Sequence, residues 1–192
     1  MLVRRTVTAS LAALAALCAS ALPAATVHAA APETLNCLAN AAVTFDPPLG
    51  ASARATTVAI SGSVSGCTDS RGGGGAVTGG TVTATLKFTS LSCSPLNPAT
   101  LAPGASAAFS WDLADGTRTA SAVTALALTQ VDGAGTLAGT VTADSPRLAG
   151  EKLTSLLNID SDQPLLDNCA DVLLLGAPPI AASTLTADIA FG

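Results

Sequence analysis

Apolar and polar residues alternate through most of this chain. In Val82-Thr83-Ala84-Thr85-Leu86-Lys87-Phe88-Thr89 every even position is apolar and every odd one polar. A period of two gives a strand with one buried and one wet face. Ala39, Ala41, Val43 and Phe45 repeat it, as do Leu185, Ala187, Ile189 and Phe191, with Thr184, Thr186 and Asp188 on the opposite face. Val58, Ile60 and Val64 mark a further strand with Gly62 inside it, and Leu137 and Val141 another around Gly139. Asp115-Gly116 suits a tight hairpin between Ala107, Phe109 and Trp111 on one side and Arg118 to Leu128 on the other. Asp132-Gly133-Ala134-Gly135 marks the next turn. Lys152 to Ile159 reads as a strand from its neighbours, although one or two helical turns also fit its pattern.

Strands at this spacing, punctuated by Gly, Pro and Asp, predict an all-β antiparallel sandwich of one domain. Arg71 to Gly80 is a glycine-rich loop, and it lacks the Gly-Lys-Ser/Thr of a phosphate loop. Ser94 to Gly104, with three prolines, is a second connection. Asp160 to Pro179 is the longest irregular stretch and therefore the expected functional surface.

The N-terminus departs from this pattern. Arg4 and Arg5 are followed by an uncharged run from Thr6 to Leu22, Ala/Leu-rich from Leu11 and closed by Pro23. Val27-His28-Ala29 then offers small or β-branched residues to a signal peptidase. These are the parts of a secretory signal peptide over residues 1–29, with a mature domain over 30–192. The run from Leu11 to Leu22 is too short for a membrane span, which needs about 20 apolar residues. A twin-arginine signal and lipid attachment at Cys18 fit less well, since Arg4-Arg5 lacks the flanking pattern and Leu17 is too large.

Removal of the first 29 residues changes the inventory. It leaves 163 of the 192 residues, with six basic residues against 13 acidic ones and a net charge of −7. The full chain already carries −5 with a pI near 4.5, which argues against nucleic-acid binding. His28, the single histidine, is lost with the leader, so no Ser-His-Asp or Cys-His site can be built. Histidine-ligated zinc is excluded for the same reason. A Ser-Lys site has only Lys87 and Lys152 to draw on, and Lys87 falls on a polar strand face. Glu33, Glu151 and the eleven Asp read as solvated turn acids rather than a hydrolytic carboxylate pair. The expectation is a protein that is not an enzyme and that needs no cofactor or metal.

Cys37, Cys67, Cys93 and Cys169 remain, an even number in an exported chain, and they are expected to form disulfides. Short C-x-x-C spacings for a metal site are absent. If successive strands run antiparallel, Cys37 and Cys67 lie at one end of the fold and Cys93 and Cys169 at the other. Strand direction therefore predicts the pairs Cys37–Cys67 and Cys93–Cys169.

The chain resembles a group of uncharacterised secreted actinobacterial proteins with an immunoglobulin-like β-sandwich. The resemblance rests on Cys37 followed by Ala42-Val43-Thr44-Phe45-Asp46-Pro47-Pro48-Leu49, and on Val58 to Cys67. It continues in Gly79-Gly80-Thr81-Val82 to Leu91-Ser92-Cys93, the Ser110-Trp111-Asp112 to Asp115-Gly116 hairpin and Ser183-Thr184-Leu185-Thr186-Ala187. It implies export and an immunoglobulin-like sandwich, and it brings no activity, cofactor or site residues.

Two functions follow as expectations. The first is a secreted, non-catalytic module that binds an extracellular or cell-envelope partner of unknown identity through the acidic Asp160–Asp171 region. The alternative is a small-molecule carrier similar to the antitumour-chromoprotein apoproteins, whose short disulfide loops are not matched here. Sugar binding is disfavoured because the one Trp, Trp111, is expected to pack with Phe109 in or beside the core. Asp160, Asp162 and Asp167 could offer oxygens to calcium, but the glycine turn and bidentate Glu of an EF-hand loop are missing.

Overall fold

The computed structural model of the protein describes residues 34–71, 75–94, 96–131, 134–157 and 163–192. The expected signal peptide, residues 1–29, lies outside the described residues, as does Glu33. The compact unit Pro32–Gly192 holds the whole β structure. Its strands are β1 Leu35–Leu49, β2 Arg54–Asp69, β3 Val77–Leu91, β4 Thr100–Leu101, β5 Ser106–Leu113, β6 Arg118–Val131, β7 Ala134–Val141, β8 Lys152–Leu157 and β9 Ile180–Phe191, with one helix, α1 Gln163–Leu174, before β9.

The sandwich is overturned. Every long strand is hydrogen-bonded on both sides, all antiparallel, in the circular order β1-β2-β3-β5-β6-β7-β8-β9 and back to β1. The result is an eight-stranded barrel, with β4 as a two-residue appendage on β3. The immunoglobulin-like arrangement implied by the resemblance falls with it, because that fold splits its strands between two sheets. Alternation did not distinguish the two. A strand of a sandwich and a strand of a barrel both turn alternate residues inward. The distinguishing features are strand length and partner choice: β1, β2 and β3 run 15, 16 and 15 residues, long enough to tilt and close.

The alternation survives as the inside–outside pattern of the barrel. Ala39, Ala41, Val43 and Phe45 of β1 are buried, while the intervening Asn40, Ala42 and Thr44 are exposed. On β3 the outward row is Thr81, Thr83, Thr85, Lys87 and Thr89. Apolar inside and hydroxyl-rich outside is the reverse of a membrane-spanning barrel. Among the described residues no helix is long and apolar enough to cross a membrane. At β6 an extra residue interrupts the ladder, with Ala125 in the left-handed region, so that Val123 and Leu126 both point inward. Gly139 faces this bulge from β7. A methyl group there would lie 2.6 Å from Val123 Cγ1 and 2.7 Å from Leu126 Cδ2, so a larger residue would have to push these side chains aside.

One end of the barrel is packed solid. Trp111 is fully buried and stacks on Phe109 with ring centroids 4.9 Å apart, and Phe191 meets both rings edge-on. Leu35, Val77, Val123 and Val141 complete the layer. Trp111 Nε1 donates to Ser121 Oγ at 3.0 Å, and that hydroxyl donates to the Arg147 carbonyl at 2.7 Å, so neither polar group is stranded.

At this same end the chain holds an ion cluster that turn-acid reasoning overlooked. The Asp69 carboxylate has no exposed side-chain surface. It accepts from Arg71 Nε at 2.8 Å, Arg147 Nη2 at 2.9 Å and the Val77 N–H at 3.2 Å. Arg71 Nη1 reaches both oxygens of Glu151. Burial alone raises the Asp69 pKa, but the hydrogen bonds from the Arg71 side chain and the Val77 and Arg71 N–H groups outweigh it and hold the carboxyl down at about 2. Asp115, by contrast, is a turn acid as expected, held below the usual range by the Thr117 hydroxyl and N–H.

A carboxyl whose pKa falls on folding stabilises the native state above its unfolded pKa and stops doing so as pH drops through the folded one. For Asp69 that window runs from the ordinary 3.8 down to about 2, and the contribution lost across it is about 2 kcal/mol. Replacing Asp69 with Asn leaves two arginines facing a neutral group and should cost about 3–5 kcal/mol at neutral pH. Unfolding free energies at pH 2 to 7 check both points: the variant's curve should be flatter than the wild type's below pH 4. Parallel curves would refute the assignment.

Candidate interior binding site

The middle of the barrel is not filled as its Trp111 end is. Around it the inward positions are Ala39, Ala41, Ala84, Ala107 and Ala187. An eight-stranded barrel is about wide enough for ordinary side chains to fill, so a belt of alanines leaves space. The space is a cavity of about 60 Å³, bordered also by Phe109, Leu137 and Leu153. Towards the end away from Trp111 it adjoins a larger cavity of about 190 Å³, lined by Phe45, Phe88, Leu86, Leu91, Leu128 and others. Ile60, Leu137 and Leu185 border both.

The mouth of the larger cavity is where the irregular Asp160–Pro179 reading needs correction. Residues 163–174 form α1. Leu165, Cys169 and Val172 recur at helical spacing and pack against the core. Gly176, in the left-handed region, ends the turn, and the Ala177 N–H returns to the Asp171 carbonyl at 3.2 Å. Leu165 belongs to the cavity wall, so α1 lies over the mouth. The Cys93–Cys169 disulfide ties the helix to the connection that follows β3. Cys37–Cys67 bridges β1 and β2 at the Trp111 end. Both pairs are those that strand direction predicts.

Of the expected site residues, Asp160 and Asp162 lie outside the described residues, and Asp167 is exposed on α1. Lys152 to Ile159 is strand over Lys152–Leu157, the remainder falling outside the described residues. Lys87 is exposed, and Lys152 donates to Thr140 Oγ1 at 2.7 Å on the outer surface. Of the described ones, Asp167, Lys87 and Lys152, none borders the cavity. The sequence reading missed the interior because alanine at an inward position reads simply as apolar. A signal was available: five alanines on inward positions of four different strands, a size pattern rather than a polarity pattern.

The tether makes a testable difference. Replacing Cys93 and Cys169 with Ser opens a 76-residue loop in the unfolded chain, a loss of about 4.5 kcal/mol on the chain-entropy model. Hydrogen exchange should then accelerate in α1 before it does so around Trp111. Unchanged protection of α1 would show that the disulfide is not what holds it over the mouth.

The chain matches no family model, no curated protein and no solved structure.

Proposed function

We propose that this protein is an exported, non-catalytic carrier that holds one small apolar molecule inside its barrel. The observation that carries this reading is the apolar interior: the alanine belt leaves a cavity of about 60 Å³, and it adjoins one of about 190 Å³ walled almost wholly by aliphatic and phenyl groups. A cavity of about 150 Å³ takes benzene, so the combined space suits a ligand on the order of ten non-hydrogen atoms. Apolar pockets of this kind bind by burying most of the ligand's surface. The apolar interior is what favours the carrier reading over recognition through the acidic Asp160–Asp171 segment, most of which is helix and not loop.

The remaining features support it. The leader pattern over residues 1–29 and two disulfides suit an oxidising, extracellular setting. The expected mature domain has no histidine, and among the described residues no acid or lysine borders the cavity. Entry is by way of the α1 end, since the Trp111 layer closes the other.

Saturable binding of n-octane and 1-octanol, followed by amide NMR, tests the proposal. Shifts should concentrate on the cavity-facing stretches of β1, β3, β5 and β9. Ala187→Leu fills the belt and should weaken binding at least tenfold, at an overpacking cost of about 1–3 kcal/mol. Diffuse, non-saturating shifts that A187L leaves unchanged would reject the reading.

A further inference from the structure

The smaller cavity contains one polar side chain among those that line it, Ser155. It stands on β8 between Leu137 of β7 and Ile189 of β9, pointing inward in the same row as Leu153. The residue is only 5% exposed. Buried hydroxyls in proteins are nearly always hydrogen-bonded, because leaving one dry and unpaired costs about 1–3 kcal/mol. The other buried Ser and Thr side chains obey that rule. Thr56 reaches the Arg54 carbonyl, Ser121 bonds Trp111 and Arg147, and Ser145 accepts from the Ala122 N–H. Ser155 Oγ makes no hydrogen bond to any described residue. It is also not sealed in, for among the described residues the one side-chain atom fully enclosed without a partner is Arg71 Nη2. Its free valences therefore open onto the cavity.

We infer that Ser155 is the polar anchor of the interior site, and that the ligand is a neutral apolar molecule bearing a single hydroxyl or carbonyl group. This rests on the carrier reading and assigns the ligand its orientation. The oxygen-bearing end lies in the smaller cavity against Ser155, and the hydrocarbon end extends past Ile60 and Leu185 towards Phe45, Phe88 and Leu165. The hydroxyl both donates and accepts, so alcohols, ketones and esters are all accommodated. An ionised head is not. Among the described residues no basic side chain lines either cavity, and an uncompensated charge in such a place is strongly disfavoured.

The test compares 1-octanol with n-octane on the wild type and on Ser155→Ala. The wild type should prefer the alcohol, relative to their partition between water and hydrocarbon. S155A should weaken octanol about five- to tenfold, the change expected for one neutral hydrogen bond, and leave octane unchanged or slightly tighter. Ser155→Thr, which keeps a hydroxyl on a residue suited to a strand, should retain the preference. Since no protein group loses a partner, S155A should unfold at the wild-type temperature or above. An octanol-to-octane ratio equal in wild type and S155A would mean that the hydroxyl only holds water, overturning the anchor while leaving the carrier reading intact. Failure of both probes to bind would remove the carrier reading and the anchor together.

Discussion

Closure of the sheet is the constraint on which the rest of this structure depends. Once β1 bonds to both β2 and β9, no long strand has a free edge, and every inward side chain faces the same enclosed space. The width of that space is set by the number of strands and their stagger, not by the side chains inside it. Side chains then decide only whether the space is filled. At one end Trp111, Phe109 and Phe191 fill it. Across the middle, alanines do not. A two-sheet sandwich would respond differently, since its layers can move together over small residues. A closed barrel keeps its radius, so that small residues become a cavity.

The two ends of the barrel follow different logics. At the Trp111 end, stacked rings sit beside an ion cluster in which Asp69 meets two arginines, and Cys37–Cys67 lies close by. Loosening this end would expose both a large aromatic layer and a dry carboxylate. At the α1 end the cover is a helix of 12 residues, joined to the barrel by its chain connections, a few apolar contacts and one disulfide. Leu174 and Leu175, at its C-terminal end, remain about four-fifths exposed. Such sparse packing is typical of elements that open below the threshold for global unfolding. In the carrier reading this asymmetry makes the α1 end the route in, and the disulfide limits how far that route can widen.

Much of this was legible in the residues. Period-two runs located most of the long strands, the neighbours of Lys152 to Ile159 pointed to β8, and antiparallel succession predicted both disulfides. The barrel was not legible because polarity alternation reports that a face is buried without reporting what buries it. The helix was hidden by its polar interruptions, Asp167, Asn168 and Asp171, although Leu165, Cys169 and Val172 mark its inner stripe. Asp69 read as a turn acid because its arginine partners are separated from it by two and by 78 residues, and the longer separation leaves no local trace. Ser155 was hidden by a different cause. A serine two residues from an inward leucine is unremarkable in sequence, and acquires meaning only when the side chains around it lack a hydrogen-bonding group to offer.

Cavity and cross-links are related quantitatively. Empty volume in a protein interior costs about 24 cal/mol per Å³, so the two adjoining cavities together cost about 6 kcal/mol. The disulfides close loops of 30 and 76 residues, and on the chain-entropy model together they contribute about 8 kcal/mol. The chain thus tolerates a hollow centre because covalent links outside it offset the missing contacts. In the carrier reading those contacts are not lost but left for the ligand to make. A molecule that fits restores dispersion contacts the alanines forgo, and by binding only the folded form it adds to stability in proportion to the logarithm of its concentration. Alanines at the belt therefore tie ligand affinity to fold stability: a larger side chain there occupies the space a guest would fill and, where it overpacks, costs stability as well.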